Sequence, residues 1–275
     1  MAQQQADPDA FKAFEREGWT GASASYAEAF GSVTSQTIPA VLDAVRAGPG
    51  ARLLDEACGP GWLAAAAVER GASVVGIDIS AGMLAEAQRR HPTVEFREGD
   101  AEQLPFADGE FDAVTMNFGL LHLSRPEQAL AEAYRVLRRG GGVAFTVWCP
   151  ADEALAFDLM LRAIEAHGRT DVGLPVGPPF FRFSDAGECR RVVLEAGFVE
   201  PSVTKLPLVW RLASGEAFFD VMHRGTARTG GLLRAQTPEA LAAIKSAVVD
   251  GANAYHMADG VEIPMPAVLA SATKP

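Results

Sequence analysis

Acidic residues follow three short segments early in the chain, two of them apolar runs. Asp55 ends LLD, Asp78 ends VVGID, and Asp100 follows the segment VEFREG. Between the first two acids stands the turn Cys58–Gly61, CGPG, and then WLAAAAVERG, which reads as a helix. Gly59 and Gly61 allow the backbone to approach a ligand that a side chain would block. The free N–H groups of the helix that follows favour a carboxylate or a phosphate. Asp78, 17 residues beyond Gly61, is placed to take both hydroxyls of a ribose. These residues together predict a cradle for a nucleoside-containing cofactor. Asp55 narrows the choice, because a carboxylate aimed at the ligand suits an ammonium group and repels a pyrophosphate. An unpaired buried acid would be costly, so Asp55 is expected to have a ligand or backbone partner.

Gly59, Gly61 and Ala64 also satisfy the loose dinucleotide pattern G-x-G-x-x-[GA]. A nicotinamide-dependent oxidoreductase would use the same turn and Asp78. It would also need a proton donor such as a Tyr-x-x-x-Lys pair, and no such pair occurs. A cofactor-binding protein without catalytic activity is the other alternative. His122 and His223 are candidates for a catalytic base, and the competing reading makes them residues that order a loop or pack a surface. The three cysteines, Cys58, Cys149 and Cys189, lie far apart and suit a reducing cytoplasm. No Cys/His/Asp cluster has metal-ligand spacing, so no metal is expected. The net charge of −11 disfavours nucleic acid and membrane surfaces as partners. The opening stretch has no basic start followed by an apolar run, so no leader peptide is expected.

The elements that must position these residues alternate in type. RLLDEA (52–57), ASVVGIDI (72–79), VEFREGDA, FDAVTMNF (111–118) and VAFTVW read as strands. WLAAAAVERG, then AGMLAEAQRRH with Ser80 as N-cap, then the segment from Ser124 read as helices. In the last of these, Ser124 and Glu127 suggest a capping box, and Gly140–Gly142 suggest the stop. Such alternation implies right-handed crossovers and a parallel, doubly wound α/β sheet. Past Pro150 the pattern loosens. EALAFDLMLRAIEAHG reads as a helix, DVGLPVGPPFFRF as a loop or lid segment, and SDAGECRRVVLEAGF as a helix capped near Ser184. VEPSVTKLPLVWRL reads as a strand whose prolines put it near an edge or bend it, residues 213–260 as helical, and VEIPMPAVLASATKP as the last strand.

From Arg52 to Trp148 the chain resembles the class I S-adenosylmethionine-dependent methyltransferases. The resemblance rests on LLDEACGPGWLA, VVGIDIS, FREGDAEQLPF, FDAVTMNFGLLHL and RVLRRGGG, in that order. The nearest subgroup looks like the ubiquinone/menaquinone-biosynthesis type of small-molecule methyltransferase. The resemblance implies a Rossmann-like, mainly parallel seven-stranded sheet with a helical insertion late in the chain. It implies S-adenosylmethionine as cofactor. Asp55 and the Gly59–Gly61 turn would then face its methionine part, and Asp78 its ribose. Ile79 and Met83 would pack near the ribose and adenine. Asp100 would accept from the adenine amino group, with the Ala101 backbone beside the ring. Asn117 and Phe118 would line the sulfonium side, and Tyr26 would fold over from the N-terminal segment. Ala57 departs from the family pattern, which has glycine at that position, and one methyl at a strand end is expected to leave binding intact.

The expected division is an N-terminal helical segment covering the cofactor (1–50), a core (51–212), a helical insertion or lid (213–260) and a last core strand (261–275). Phe180, Phe181, Trp210, Phe218, Phe219, Met222 and His223 are the expected lining of an acceptor pocket for a small, apolar or aromatic metabolite. The competing reading of the insertion is the interface of a homodimer.

Overall fold

From Pro8 to Ala44 the N-terminal segment is helical apart from a turn at Phe30. The computed structural model describes residues 7–275, so the first six residues of the stretch read as carrying no leader lie outside it. Helix α1 (Pro8–Ala29) starts at Asp7, whose carboxylate accepts from the Asp9 and Ala10 N–H groups, with Pro8 in the first turn. Its inward face buries Phe11, Glu15, Ala22 and Ala27. The short α2 (Gly31–Thr34) and α3 (Ile38–Ala44) complete the segment.

The sheet elements follow as β1 (Arg52–Glu56), α4 (Trp62–Glu69), β2 (Ser73–Asp78), α5 (Ala81–Arg90), β3 (Glu95–Glu98), β4 (Phe111–Asn117), α6 (Pro126–Val136) and β5 (Leu137–Trp148). Then come α7 (Leu155–His167), α8 (Ala186–Glu195), β6 (Val199–Leu206), β7 (Val209–Leu212), α9 (Gly215–Arg224), α10 (Arg228–Arg234), α11 (Pro238–Ala252), β8 (His256–Met257), β9 (Gly260–Pro264) and β10 (Ala267–Thr273). The main sheet has seven strands in the order β3-β2-β1-β4-β5-β10-β6. Strands β1 to β5 pair in parallel, and β10 runs antiparallel to both neighbours. The doubly wound, mainly parallel sheet expected from the alternation is the one observed. Strand order reverses between β1 and β4, so the carboxyl ends of β1, β2 and β4 open onto a common crevice.

Three local readings are corrected. Gly140–Gly142 do not stop α6, which ends at Val136; the chain turns directly into β5, and the glycines lie in its bulged start, where Gly140 donates to the Lys274 carbonyl. Ser124 and Glu127 form no capping box. The Ser124 hydroxyl and N–H both go to the buried Glu102 carboxylate, and Glu127 pairs with Arg182. A buried carboxylate is the stronger competitor for those donors. The two late strand segments each split in two. Pro207 and Pro266 supply no N–H to a ladder, so β7 and β9 leave the main sheet and join β8 in a separate three-stranded sheet. The excursion from the main sheet therefore spans residues 207–266, with helices α9, α10 and α11 between its strands.

Candidate functional site

The crevice holds a cavity of about 880 Å³, including the space at its mouth. Its floor comes from the ends of β1, β2 and β4. Its roof comes from α1, the segment around Phe180, and residues Thr226–Thr229 at the start of α10.

Asp78 ends β2 and lines the cavity while being 7% exposed. One oxygen accepts from the Gly59 N–H at 2.9 Å and the other from the Ser80 N–H at 2.8 Å. Burial pushes its carboxyl up to about 6 despite those bonds. Gly59 has φ +53°, and a Cβ built on it meets nothing within 4 Å, so that face of the turn opens onto free space. Gly61 has φ +82° and serves packing instead, since a Cβ there would strike Phe96 at 2.6 Å. Asp55 lies behind the turn. One oxygen accepts from Thr115 Oγ1 at 3.0 Å, the other has no partner, and burial pushes the carboxyl up to about 7.

Ala57 and Phe118 both line the cavity with positive φ, +49° and +57°. The Ala57 methyl packs against Gly119, where a Cβ would come within 2.7 Å of it. Phe118 stacks on Trp148 with centroids 4.0 Å apart. Asn117 lines the cavity, but its amide is engaged: Oδ1 accepts from Thr37 at 2.7 Å and Thr146 at 2.6 Å, and Nδ2 donates to the Thr34 carbonyl. It thereby holds the α2–α3 junction onto the sheet. Tyr26 stacks on Phe30, and burial pushes its phenol up to about 12.

Of the residues singled out from sequence, Tyr26, Ala57, Gly59, Asp78, Ile79, Met83, Asn117, Phe118 and His122 come together around the cavity. Asp55, Gly61, Asp100, Ala101 and His223 do not line it. Asp100 accepts from Lys12 of α1 at 2.7 Å and from the Glu102 N–H at 2.9 Å, so α1 is latched over that end of the crevice. His223 packs beside Phe219 on α9.

The expected acceptor lining is largely corrected. Only Phe180 of that set reaches the cavity. Trp210, Phe218, Phe219 and Met222 are all at most 3% exposed and form the core of the excursion, with Trp210 packed between Phe30 and Phe218. A helical excursion of this size needs its own apolar core, and those residues supply it. The cavity wall instead uses Trp19, Trp148, Phe157 and Phe180, with Leu123 and Thr226–Thr229. Glu15, Trp19, Trp148, Phe157 and Arg228 were missed from sequence. Trp148 alone carried a signal, as the last residue of a predicted strand.

At one wall stands a charged cluster. His122 Nδ1 lies 3.1 Å from Glu15 Oε2, and Arg228 Nε donates to Glu15 Oε1 at 2.7 Å. Arg228 also donates to the Pro178 and Leu121 carbonyls. Burial pushes the Glu15 carboxyl up, but His122 and then Arg228 outweigh it and hold it below its usual range.

Residues 54–145 match the family described as "Methyltransferase domain". That stretch contains β1 to β4, most of β5, and the turn with its Asp78. Over that stretch the chain is similar to methyltransferase domains. The chain is similar to the demethylmenaquinone methyltransferase of Renibacterium salmoninarum, 50% identical over 101 residues, 37% of this chain and 43% of the relative. The one from Beutenbergia cavernae is 45% identical over 125 residues, 44% of this chain and 52% of the relative. The chain thus spans about half the length of the curated relatives it matches. Outside the methyltransferase domain the fold is still shared. Phosphoethanolamine N-methyltransferase 2 of Haemonchus contortus, solved with S-adenosylhomocysteine, aligns over 96% of this chain and 60% of its own, with a TM-score of 0.60 at 20% identity. Among the described residues no helix is long and apolar enough to cross a membrane.

Proposed function

We propose that this chain transfers the sulfonium methyl of S-adenosylmethionine to a small, mainly apolar or aromatic acceptor. The observation that carries the reading is the Asp78–Gly59 cradle: a buried carboxylate at the end of β2 beside a turn whose open face would be filled by any side chain. A ribose fits there, with its two hydroxyls donating to the Asp78 carboxylate. Ile79 and Met83 give an apolar wall beside the cradle. Bound there, the cofactor supplies a methyl group already activated for displacement.

The rest of the task falls to this chain's side chains. They must orient an acceptor in line with that methyl and exclude water. Phe118, Trp148, Phe157 and Phe180 offer flat apolar surface for the acceptor, and α1 with the start of α10 closes over it. The relatives are named for a demethylated menaquinone, a quinone-type aromatic, and that class agrees with the lining.

Calorimetry tests the cofactor half. S-adenosylhomocysteine should bind with micromolar-scale affinity, about −8 kcal/mol, and NADH should give no heat. Asp78→Asn should weaken binding at least tenfold, because hydrogen bonds to a charged group contribute about 1.5–3 kcal/mol each. An unchanged dissociation constant in the variant would reduce Asp78 to a residue that merely orders the turn.

A further inference from the structure

We infer that His122 is the base that takes a proton from a hydroxyl group on the acceptor, with Glu15 as its positioning residue. The inference rests on the methyl-transfer reading and deepens it. His122 lines the cavity together with the aromatic residues and lies on the loop after β4. Its Nδ1 faces Glu15 Oε2 at 3.1 Å. Glu15 is 4% exposed, sits on α1, and has its other oxygen held by Arg228. A carboxylate at Nδ1 is an acceptor only, so the ring nitrogen facing it carries the hydrogen. Nε2 is then left as a bare lone pair, and among the described residues it makes no hydrogen bond. Trp19 and Phe180 pack edge-on against the imidazole, with centroids 4.8 and 5.8 Å away, and fix its plane.

This arrangement is more than packing requires. A buried acid tied to a buried arginine and a histidine is costly to assemble, and an apolar substitute would pack as well. It holds one tautomer and leaves the other ring nitrogen basic, on a residue that lines an aromatic-walled cavity. The acceptor that needs such an atom is a weakly acidic hydroxyl. A neutral amine attacks with the lone pair it already has, whereas a hydroxyl becomes a strong nucleophile only as its proton leaves. In balance, the hydroxyl proton passes to Nε2, the oxygen's freed pair forms the new O–CH₃ bond, and the pair of the broken C–S bond stays on sulfur. The flat lining places that hydroxyl on an aromatic ring. Two members of the cluster, Glu15 and Arg228, lie outside the matched stretch of residues 54–145.

The test uses the full chain. Long-range proton–nitrogen spectra of histidine-labelled protein, at a pH where the imidazole is neutral, should show His122 as the Nδ1–H tautomer. Glu15→Gln keeps the shape and removes the charge, and it should release that single tautomer to a mixture. In parallel, labelled methyl transfer from S-adenosylmethionine is measured onto 1-naphthol and onto 4-nitro-1-naphthol, whose hydroxyl is already ionised at the assay pH. His122→Gln should lower kcat on 1-naphthol by about 10²–10⁴-fold, with KM and S-adenosylhomocysteine affinity unchanged, and should largely spare the nitro compound. An Nε2–H tautomer in the wild type, or equal losses on both naphthols, would overturn the assignment. So would no transfer to either naphthol by wild-type protein that binds S-adenosylhomocysteine. Failure to bind that compound at all would strike the methyl-transfer reading itself, which the tautomer spectrum does not depend on.

Discussion

Ala57 holds a backbone conformation that its own methyl resists. At φ +49° an L-residue other than glycine is strained, by about 1 kcal/mol or somewhat more. The methyl finds room only because Gly119 faces it. The expectation that a strand end tolerates the extra methyl is met sterically, but at a conformational cost that position and spacing did not reveal. Ala57→Gly should therefore raise the unfolding free energy by roughly 0.5–1 kcal/mol in denaturant titrations, with no loss of S-adenosylhomocysteine affinity. Its neighbour Glu56 carries a different burden. Both carboxylate oxygens are buried without partners, and burial, then Asp55, then Glu132 push the carboxyl well above its ordinary range. A carboxyl raised on folding contributes its full stability below the unfolded value, and the contribution is lost as pH rises toward the folded one. The unfolding free energy should thus decline above about pH 4.5. Asp78, at about 6, and Asp55, at about 7, add to the same decline. Glu56→Gln should flatten it, so that the variant gains on the wild type at each step from about pH 5 to about pH 8. A constant difference across that range would mean that Glu56 is ionised in the folded protein.

Among the elements, α1 is the least explained by its own sequence pattern and the most consequential for the cavity. Arg228 on α10 alone joins it to two further segments, donating to Glu15 on α1, to the Pro178 carbonyl before Phe180 and to the Leu121 carbonyl after β4. Removing one member of a buried ion pair typically costs about 3–5 kcal/mol. In Arg228→Ala that loss should appear locally. Amide hydrogen exchange should accelerate across Pro8–Ala29 and residues 226–234 while β1, β2 and β4 keep their protection. Uniform acceleration would place Arg228 in the global core instead. This division matches what the sequence disclosed. β1, β2 and β4 end in acids or Asn117 after mainly apolar runs, so the strands and the residues on their tips were legible. Ser80 was legible as a cap, and its hydroxyl does accept from the Met83 N–H. The roof was not legible. Glu15 and Arg228 lie 213 positions apart, and no local spacing encodes a pair made by docking one helix on another. The Phe and Trp residues of the excursion carried the right composition for a pocket, but composition does not distinguish a wall from a core. Nor did two prolines announce that a strand would change sheets.

At the scale of the whole molecule, the excursion hangs from one place. Leu206 and Ala267 are partners on the same antiparallel ladder, and Met265 donates to the Leu208 carbonyl at 2.9 Å just above them. The main sheet would close with a tight hairpin there; instead some sixty residues are stitched into the bend. Because the two ends already touch, the sheet bears almost no loop-closure penalty for whatever the bend contains. The bend can therefore be rewritten by evolution, or at the bench, like an exchangeable head on a fixed handle. The faces that meet the rest of the chain must be carried along: Trp210 on Phe30, Ala227 beside Gly18, Arg228 on the Pro178 and Leu121 carbonyls, and α11 against α7. Transplanting residues 207–266 together with 7–37 and 155–184 from a relative of different acceptor preference should leave S-adenosylhomocysteine affinity within a few-fold and move the acceptor preference to that of the donor. Transplanting 207–266 alone should bind the same compound as well but leave the roof unlatched, giving slow transfer to either acceptor.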